Sequence, residues 1–137
     1  MPGYSGTPLA KKLGLKPPMD YLVDCGPEEF SEWLGELPGG VNLVVSAESP
    51  VQAAHLFVTE RSALESKLAA LRGTLEQAGF IWVSWPKKSS KVPTDITEDT
   101  IRDVALPMGY VDIKVCAVSD VWSGLKLVIR KTERTSK

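Results

Sequence analysis

Short apolar runs alternate with helix-like segments along most of this chain, and that alternation constrains its fold more than any other feature. Strands that alternate with helices assemble into a mostly parallel sheet joined by right-handed crossovers. Six segments have the apolar, β-branched or aromatic composition of strands: residues 21–25, 41–45, 54–59, 80–85, 111–118 and 125–130. The short link 119–124 predicts that the last two form an antiparallel hairpin.

The segments between these strands carry helix signals. Pro27 suits the first residue of a helix, and a leucine stripe predicts the clearest helix, over residues 62–77, with Gly79 as its terminator. Asp95, with Glu98 three residues later, has the spacing of a capping box and predicts the start of another helix. The stripe consists of Leu64, Leu68, Leu71 and Leu75.

Together these elements predict a three-layer, Rossmann-like α/β fold. Its sheet is six-stranded and mostly parallel, with an antiparallel C-terminal hairpin strand. We expect an N-terminal arm over residues 1–18, one α/β domain over 19–131 and a polar tail over 132–137. Leu9, Leu13 and Leu15 are spaced to pack the arm onto the domain.

Composition limits the class of protein. The 137 residues, 43% of them apolar, suit a single core, and the net charge of −1 argues against a general attraction to nucleic acid or anionic membranes. No run approaches the roughly 20 apolar residues of a membrane span, and the N-terminus lacks a secretion signal. We therefore expect a cytoplasmic protein in which Cys25 and Cys116 are small buried side chains, not a disulfide.

The order of elements resembles the second half of a class I methyltransferase. The stretch His55-Leu56-Phe57-Val58, a long helix, Gly79 and then Phe80-Ile81-Trp82-Val83 look like that family's fourth strand, helix and fifth strand. The final helix and hairpin look like its terminal βαββ unit. One strand–helix unit is missing from the first half.

A second resemblance covers nearly the whole chain. The runs at residues 3–14, 82–90 and 122–126 are similar to a bacterial family known only as domain of unknown function 3052, and the middle run, Trp82-Val83-Ser84-Trp85-Pro86-Lys87-Lys88-Ser89-Ser90, is the most specific. The resemblance implies a bacterial, cytoplasmic origin and carries no activity.

In open α/β sheets ligands bind beyond the carboxyl ends of the strands. The first such turn, Cys25-Gly26-Pro27, holds one glycine and a proline without an N–H group, which argues against S-adenosylmethionine and nicotinamide dinucleotides. We thus predict no cofactor. Glu48 after the second strand suits a ribose contact or, more simply, a solvated position, and the single histidine, His55, is typical of a packed, hydrogen-bonded core residue.

The loop after the fourth strand is the strongest candidate site. Lys87, Lys88, Ser89 and Ser90 supply charge and hydroxyl donors for an anion, and Trp85, together with Trp82, is expected to add an aromatic surface. The alternative interpretation is a solvated basic loop beside core tryptophans.

From this site we predict a non-catalytic, methyltransferase-like binding module for an anionic small molecule or an acidic protein segment. The alternative is an enzyme, either a divergent transferase or a phosphate-group enzyme with an atypical site. A membrane partner is not expected, and nucleic acid ranks below the other partners because the net charge is slightly negative.

Overall fold

A computed structural model describes residues 9–34, 37, 39–45, 50–119, 121–130 and 132 of the chain. The strands are β1 Met19–Asp24, β2 Val41–Val44, β3 Val51–Phe57, β4 Leu75–Pro86, β5 Tyr110–Ala117 and β6 Trp122–Ile129. The α-helices are α1 Leu9–Lys12, α2 Phe30–Leu34, α3 Arg61–Thr74 and α4 Glu98–Ala105. Single 3-10 turns occupy Lys88–Ser90 and Leu106–Met108.

The six strands form one sheet in the order β2-β1-β3-β4-β6-β5. Strands β1 to β4 run parallel, whereas β6 is antiparallel to both β4 and β5. The predicted Rossmann-like α/β class and its antiparallel C-terminal hairpin are therefore confirmed.

Each face of the sheet has its own apolar core. Helices α1 and α2 cover one face, where Leu13 and Phe30 pack with Trp82. Helices α3 and α4 cover the other, where Leu68 and Ile101 belong to a second cluster. The predicted packing of the arm is confirmed, because Leu9, Leu13 and Leu15 are all buried.

The long helix ends earlier than predicted. It stops at Thr74, and β4 begins directly at Leu75, so that Gly79 lies inside the strand and not after the helix. A Cβ atom at Gly79 would come within 2.5 Å of the Gln52 carbonyl oxygen. The glycine is required by this close approach of two backbones, and the local pattern was misread as a helix stop.

The start of α4 also differs from the prediction. Thr97, not Asp95, is the N-cap, and its hydroxyl and that of Thr100 exchange hydrogen bonds with each other's backbone N–H groups. The Asp95 carboxylate instead accepts a hydrogen bond of 2.7 Å from the N–H of Arg61. Asp95 therefore caps the first turn of α3 from a distant loop.

The connection from β2 to β3 determines where the sheet is open. Only residues 45–50 separate the two parallel strands, whereas such crossovers normally need about a dozen residues or more and usually contain a helix. Within the described part of the chain no helix covers the α3-side face of β1 and β2, where Leu22 and Val44 are half-buried. The short connection agrees with the resemblance drawn from the sequence, in which one strand–helix unit is missing from the first half.

Candidate functional site at the end of the first strand

Three chemically different side chains meet at the carboxyl end of β1. The Lys67 ammonium group, from α3, donates a hydrogen bond of 2.6 Å to Asp24 and one of 3.4 Å to the Cys25 sulfur. Asp24 is the last residue of β1, and Cys25 begins the turn that follows. A carboxylate, an ammonium group and a thiol are thus held together, and we refer to them as the Asp24–Cys25–Lys67 cluster.

The charges in this cluster stabilise each other. Burial raises the pKa of Asp24, but hydrogen bonds from Lys67 and Cys25 and the Lys67 charge outweigh it and leave the pKa below its usual value. Burial lowers the pKa of Lys67, but its hydrogen bonds and the neighbouring negative charges outweigh it and leave the pKa raised. Lys67 and Asp24 therefore stay charged over the whole neutral range.

A cavity of about 240 Å³ opens beside the cluster, between α3 and the sheet. Its walls are mostly apolar, with Asp24 and Lys67 as their charged part. The lining residues are Leu22, Asp24, Leu56, Ser66, Lys67, Ala70, Leu71 and Thr74. The volume is slightly below the usual range of small-molecule pockets, about 300–1,000 Å³, and suits a short apolar group next to a charged head.

Cys25 does not have the environment that the sequence predicted. It is exposed, whereas a buried strand cysteine was expected, and its backbone is left-handed with a φ of 58°. Few residues other than glycine adopt this conformation. The turn therefore presents the thiol at the surface. Cys116 is half-buried, and burial raises the pKa of its thiol.

The turn after β1 does not fit S-adenosylmethionine or a dinucleotide. A Cβ atom at Gly26 would lie 2.6 Å from the Val23 side chain, so this glycine faces the protein's own core and forms no cradle for a ligand. Cys25 carries a Cβ atom, Pro27 has no N–H group, and the Asp24 carboxylate is paired with Lys67.

His55 is a core residue, as the sequence predicted. It is fully buried between the Tyr21 hydroxyl, 2.7 Å from Nδ1, and the Ser84 hydroxyl, 2.5 Å from Nε2, and its ring stacks on Phe57. Burial lowers the pKa of His55 to about 3. A neutral imidazole donates from one nitrogen and accepts at the other, so both contacts are satisfied without charge.

The loop after β4 is largely engaged in its own hydrogen bonds. The Ser90 hydroxyl donates to the Lys87 carbonyl at 2.6 Å and accepts from the N–H of Val92 at 3.3 Å, while Lys88 and Ser89 are exposed. The prediction that Trp85 and Trp82 add an aromatic surface to this loop is wrong. Trp85 is buried in the core on the α3 side, and Trp82 is fully buried with its indole N–H donated to the Leu13 carbonyl. Anion binding by Lys87, Lys88, Ser89 and Ser90 stays a prediction.

Sequence reasoning missed Asp24 and Lys67. An acidic residue at the end of an apolar strand was a usable signal for Asp24. Lys67, in contrast, is one of several charges on the exposed face of a helix, and the chain gives no sign that it contacts a residue 43 positions earlier. The predicted ribose contact, Glu48, lies outside the described residues. Within the described ranges, no helix has the length and apolar composition to cross a membrane, and no group of three or more histidine, cysteine or acidic side chains is placed to hold a metal ion.

Comparison with solved structures places the fold among methyltransferases. The chain is similar to magnesium protoporphyrin IX methyltransferase of Synechocystis PCC 6803, solved with bound S-adenosylmethionine, at a TM-score of 0.59 and 10% identity, covering 90% of this chain and 74% of that one. It is similar to a putative type 11 methyltransferase of Sulfolobus solfataricus, at a TM-score of 0.57 and 12% identity, covering 85% of this chain and 88% of that one. The chain is also similar to the ribosomal protein L11 methylase of Lactobacillus delbrueckii subsp. bulgaricus, at a TM-score of 0.55 and 9% identity, covering 89% of this chain and 77% of that one. No family model and no curated protein sequence matches this chain.

These comparisons contradict the prediction of a non-catalytic module. The three solved structures named above are methyltransferases, and one of them holds the methyl donor. The prediction of a non-enzymatic role rested on the loop after β4, and the glycine-poor turn after β1 argues against two cofactors but not against catalysis. The prediction of a non-catalytic module is therefore wrong.

Proposed function

We propose that this chain is a divergent transferase of the methyltransferase fold, and that it transfers a group through the thiol of Cys25. One observation carries the proposal: the exposed thiol of Cys25 lies 3.4 Å from the ammonium group of Lys67, and Lys67 itself lines a cavity with mostly apolar walls. The thiolate is the nucleophilic form of cysteine.

Each member of the cluster has a part in the proposed reaction. The Cys25 thiolate attacks the carbonyl carbon of an acyl donor, a sulfur–carbon bond forms, and the bond from that carbon to the leaving group breaks. The Lys67 ammonium group lies 3.4 Å from the sulfur, where it would contact the thiolate that leaves when the acceptor's nucleophile attacks the thioester. Asp24 fixes the position of the Lys67 ammonium group at 2.6 Å. The apolar walls of the cavity suit a short acyl chain.

Reaction with p-nitrophenyl acetate tests the proposal directly. We expect a burst of p-nitrophenolate stoichiometric with protein, and an acetyl group on Cys25 by peptide mass spectrometry. Cys25→Ser should abolish the burst, whereas Cys116→Ser should retain it. Acetylation spread equally over both cysteines, or a burst that survives Cys25→Ser, would contradict the assignment.

The role of Lys67 is tested separately by the rate of alkylation with iodoacetamide. In a Cys116→Ser background, Lys67→Met should slow the alkylation of Cys25 severalfold, because the neighbouring positive charge is removed. Lys88→Met is the matched control, since this lysine is exposed and contacts no sulfur in the described structure. Equal rates for the two variants, with unchanged circular dichroism, would refute a role for Lys67 in the reactivity of Cys25.

The comparisons favour a second candidate, a methyltransferase that uses S-adenosylmethionine. Its support is the fold that this chain shares with known methyltransferases. The turn after β1 argues against it, because Gly26 forms no cradle for a ligand and Pro27 has no N–H group. Calorimetric titration with S-adenosylmethionine separates the two candidates. Micromolar binding would favour methyl transfer, whereas no binding together with an acetyl-Cys25 burst would favour the thiol route.

Two further points of the sequence analysis are kept as proposals. Membership in domain of unknown function 3052 rests on the three runs quoted above. An anion site at Lys87, Lys88, Ser89 and Ser90 is supported by the exposure of Lys88 and Ser89 next to the carboxyl end of β4. For a transferase, this loop is a suitable contact for a negatively charged donor or acceptor.

A further inference from the structure

A group of lysines lies on the α1-side face of the sheet, away from the Cys25 turn. A bulge in β5 shifts the register between Asp112 and Lys114, and this shift sets Lys114 opposite Lys126 of β6. Without it, the isoleucine at position 113 would face Lys126. Like charges directly opposite each other on paired strands are destabilising, so this arrangement has a cost in the free protein.

Helix α1 and the residues after it add to this positive charge. The charges of Lys16 and Lys114 act on Lys126, and those of Lys12 and Lys114 act on the thiol of Cys116. The first 19 residues of the chain contain three lysines and no acidic residue. We call Lys12, Lys16, Lys114 and Lys126 the lysine cluster.

The lysine cluster lacks the carboxylate partners that other cations of this protein have. In the described structure Arg61 pairs with Glu65, Lys67 pairs with Asp24, and Arg102 contacts three carboxylates, whereas no ion pair involves a member of the cluster. The Lys126 ammonium group instead lies 4.4 Å from the centre of the Phe80 ring. Burial and, to a smaller extent, the charges of Lys114 and Lys16 lower the pKa of Lys126.

We propose that the lysine cluster is a binding surface for the phosphodiester backbone of single-stranded nucleic acid. Lysine binds phosphate as a point charge, and a backbone with evenly spaced phosphates neutralises several lysines at once, which a single small anion cannot do. The face is a sheet surface with the half-buried ring of Phe80 beside Lys126, a setting that accepts a flexible single strand without base readout.

The surface is independent of the proposed transferase site. Lys126 is paired with Trp82, four residues before Pro86 at the carboxyl edge, which corresponds to about 13 Å along the strand. The net charge of −1 argued against nucleic acid as a partner. That argument concerns the whole chain, and the fold concentrates four lysines on one face.

Fluorescence anisotropy with a labelled single-stranded oligothymidylate of about 12 nucleotides tests the proposal. For the intact chain, the logarithm of affinity should fall with the logarithm of salt concentration with a slope of about −2 to −3, because up to four phosphates are neutralised at about −0.7 each. Lys114→Gln with Lys126→Gln should weaken binding at about 50 mM salt at least tenfold and reduce the slope by about 1.4. Lys114→Gln alone, at an exposed position, should give about half of that change in slope and guards against a folding defect at Lys126.

The control variant, Arg61→Gln, removes one positive charge from α3 on the other face of the sheet, where Arg61 pairs with Glu65, and is compared with Lys114→Gln alone. It should keep the parent's affinity and slope. The proposal fails if this control loses as much affinity as Lys114→Gln alone, or if the parent does not bind the oligonucleotide. It also fails if inorganic phosphate at millimolar concentration displaces the oligonucleotide fully, or if vesicles containing phosphatidylserine bind while the oligonucleotide does not.

Discussion

Acidification is expected to destabilise this protein through a single buried histidine. His55 is fully buried, and burial lowers its pKa from 6.5 to about 3 in the folded chain. In the unfolded chain the same imidazole binds a proton near its ordinary pKa. Between these two values the unfolded state therefore binds more protons than the folded state, so the free energy of unfolding decreases as the pH falls.

The size of the effect follows from the two pKa values. The contribution is fully present above about pH 6.5 and is lost progressively down to about pH 3. The loss is about 2 kcal/mol at pH 5 and about 3 kcal/mol at pH 4. Native domains are stable by about 5–15 kcal/mol, so the chain should lose a large part of its stability before most carboxylates titrate.

Urea unfolding followed by tryptophan fluorescence at several pH values measures this slope. We expect about 1.4 kcal/mol per pH unit between pH 6 and pH 4, and a much smaller slope for His55→Gln, which has no group that titrates there. The variant loses hydrogen bonds to Tyr21 and Ser84 and should be less stable than the parent at pH 7. A parent whose stability is flat from pH 6.5 to 5, or a variant that keeps the full slope, would refute the reasoning.

Two further predictions concern Gly79 and Asp95, whose roles in the structure differ from those that the sequence predicted. Gly79→Ala should destabilise the chain by about 1–3 kcal/mol because its Cβ atom would meet a backbone oxygen at 2.5 Å, whereas Gly73→Ala in α3, with nothing within 4 Å, should stabilise it by about 0.5–1 kcal/mol. Thermal unfolding of this pair checks both signs, and equal shifts would contradict the close approach at Gly79. Asp95→Ala should cost about 1 kcal/mol by uncapping α3, and α3 amides should exchange hydrogen faster. Faster exchange confined to α4 would instead support the capping box that the sequence suggested.

The elements themselves were accessible from the sequence, whereas their ends were not. The leucine stripe of α3 predicted a helix because helical spacing places its leucines on one face. Leu64, Leu68 and Leu71 are buried, as expected. The end of that helix depends on how closely Gly79 approaches another strand, which is a tertiary contact. Asp95 and Thr97 are both good capping residues, and the choice between them depends on which helix end lies near each side chain.

The candidate sites were less accessible because they join distant parts of the chain. Lysines at positions 87 and 88 stand out as neighbours in the sequence, whereas the contact of Lys67 with Asp24 spans 43 residues. The pairing of Lys114 with Lys126 depends on a bulge that shifts the register, and no pattern of apolar residues reports such a shift. Local reasoning therefore favoured the loop and overlooked both clusters.

The short crossover between β2 and β3 links the fold to the proposed transferase site. With only residues 45–50 available, the described chain has no helix over the α3-side face of β1, and Leu22 remains half-buried at the wall of the cavity. A helix in that position would bury Asp24 and Lys67 and displace the solvent that screens them. In this chain the Asp24 side chain is 35% exposed and the Lys67 side chain is 24% exposed. The ion pair therefore persists while the thiol beside it stays accessible. Within the described residues, the short crossover thus leaves open a region where a thiol lies against a cation that lines an apolar cavity.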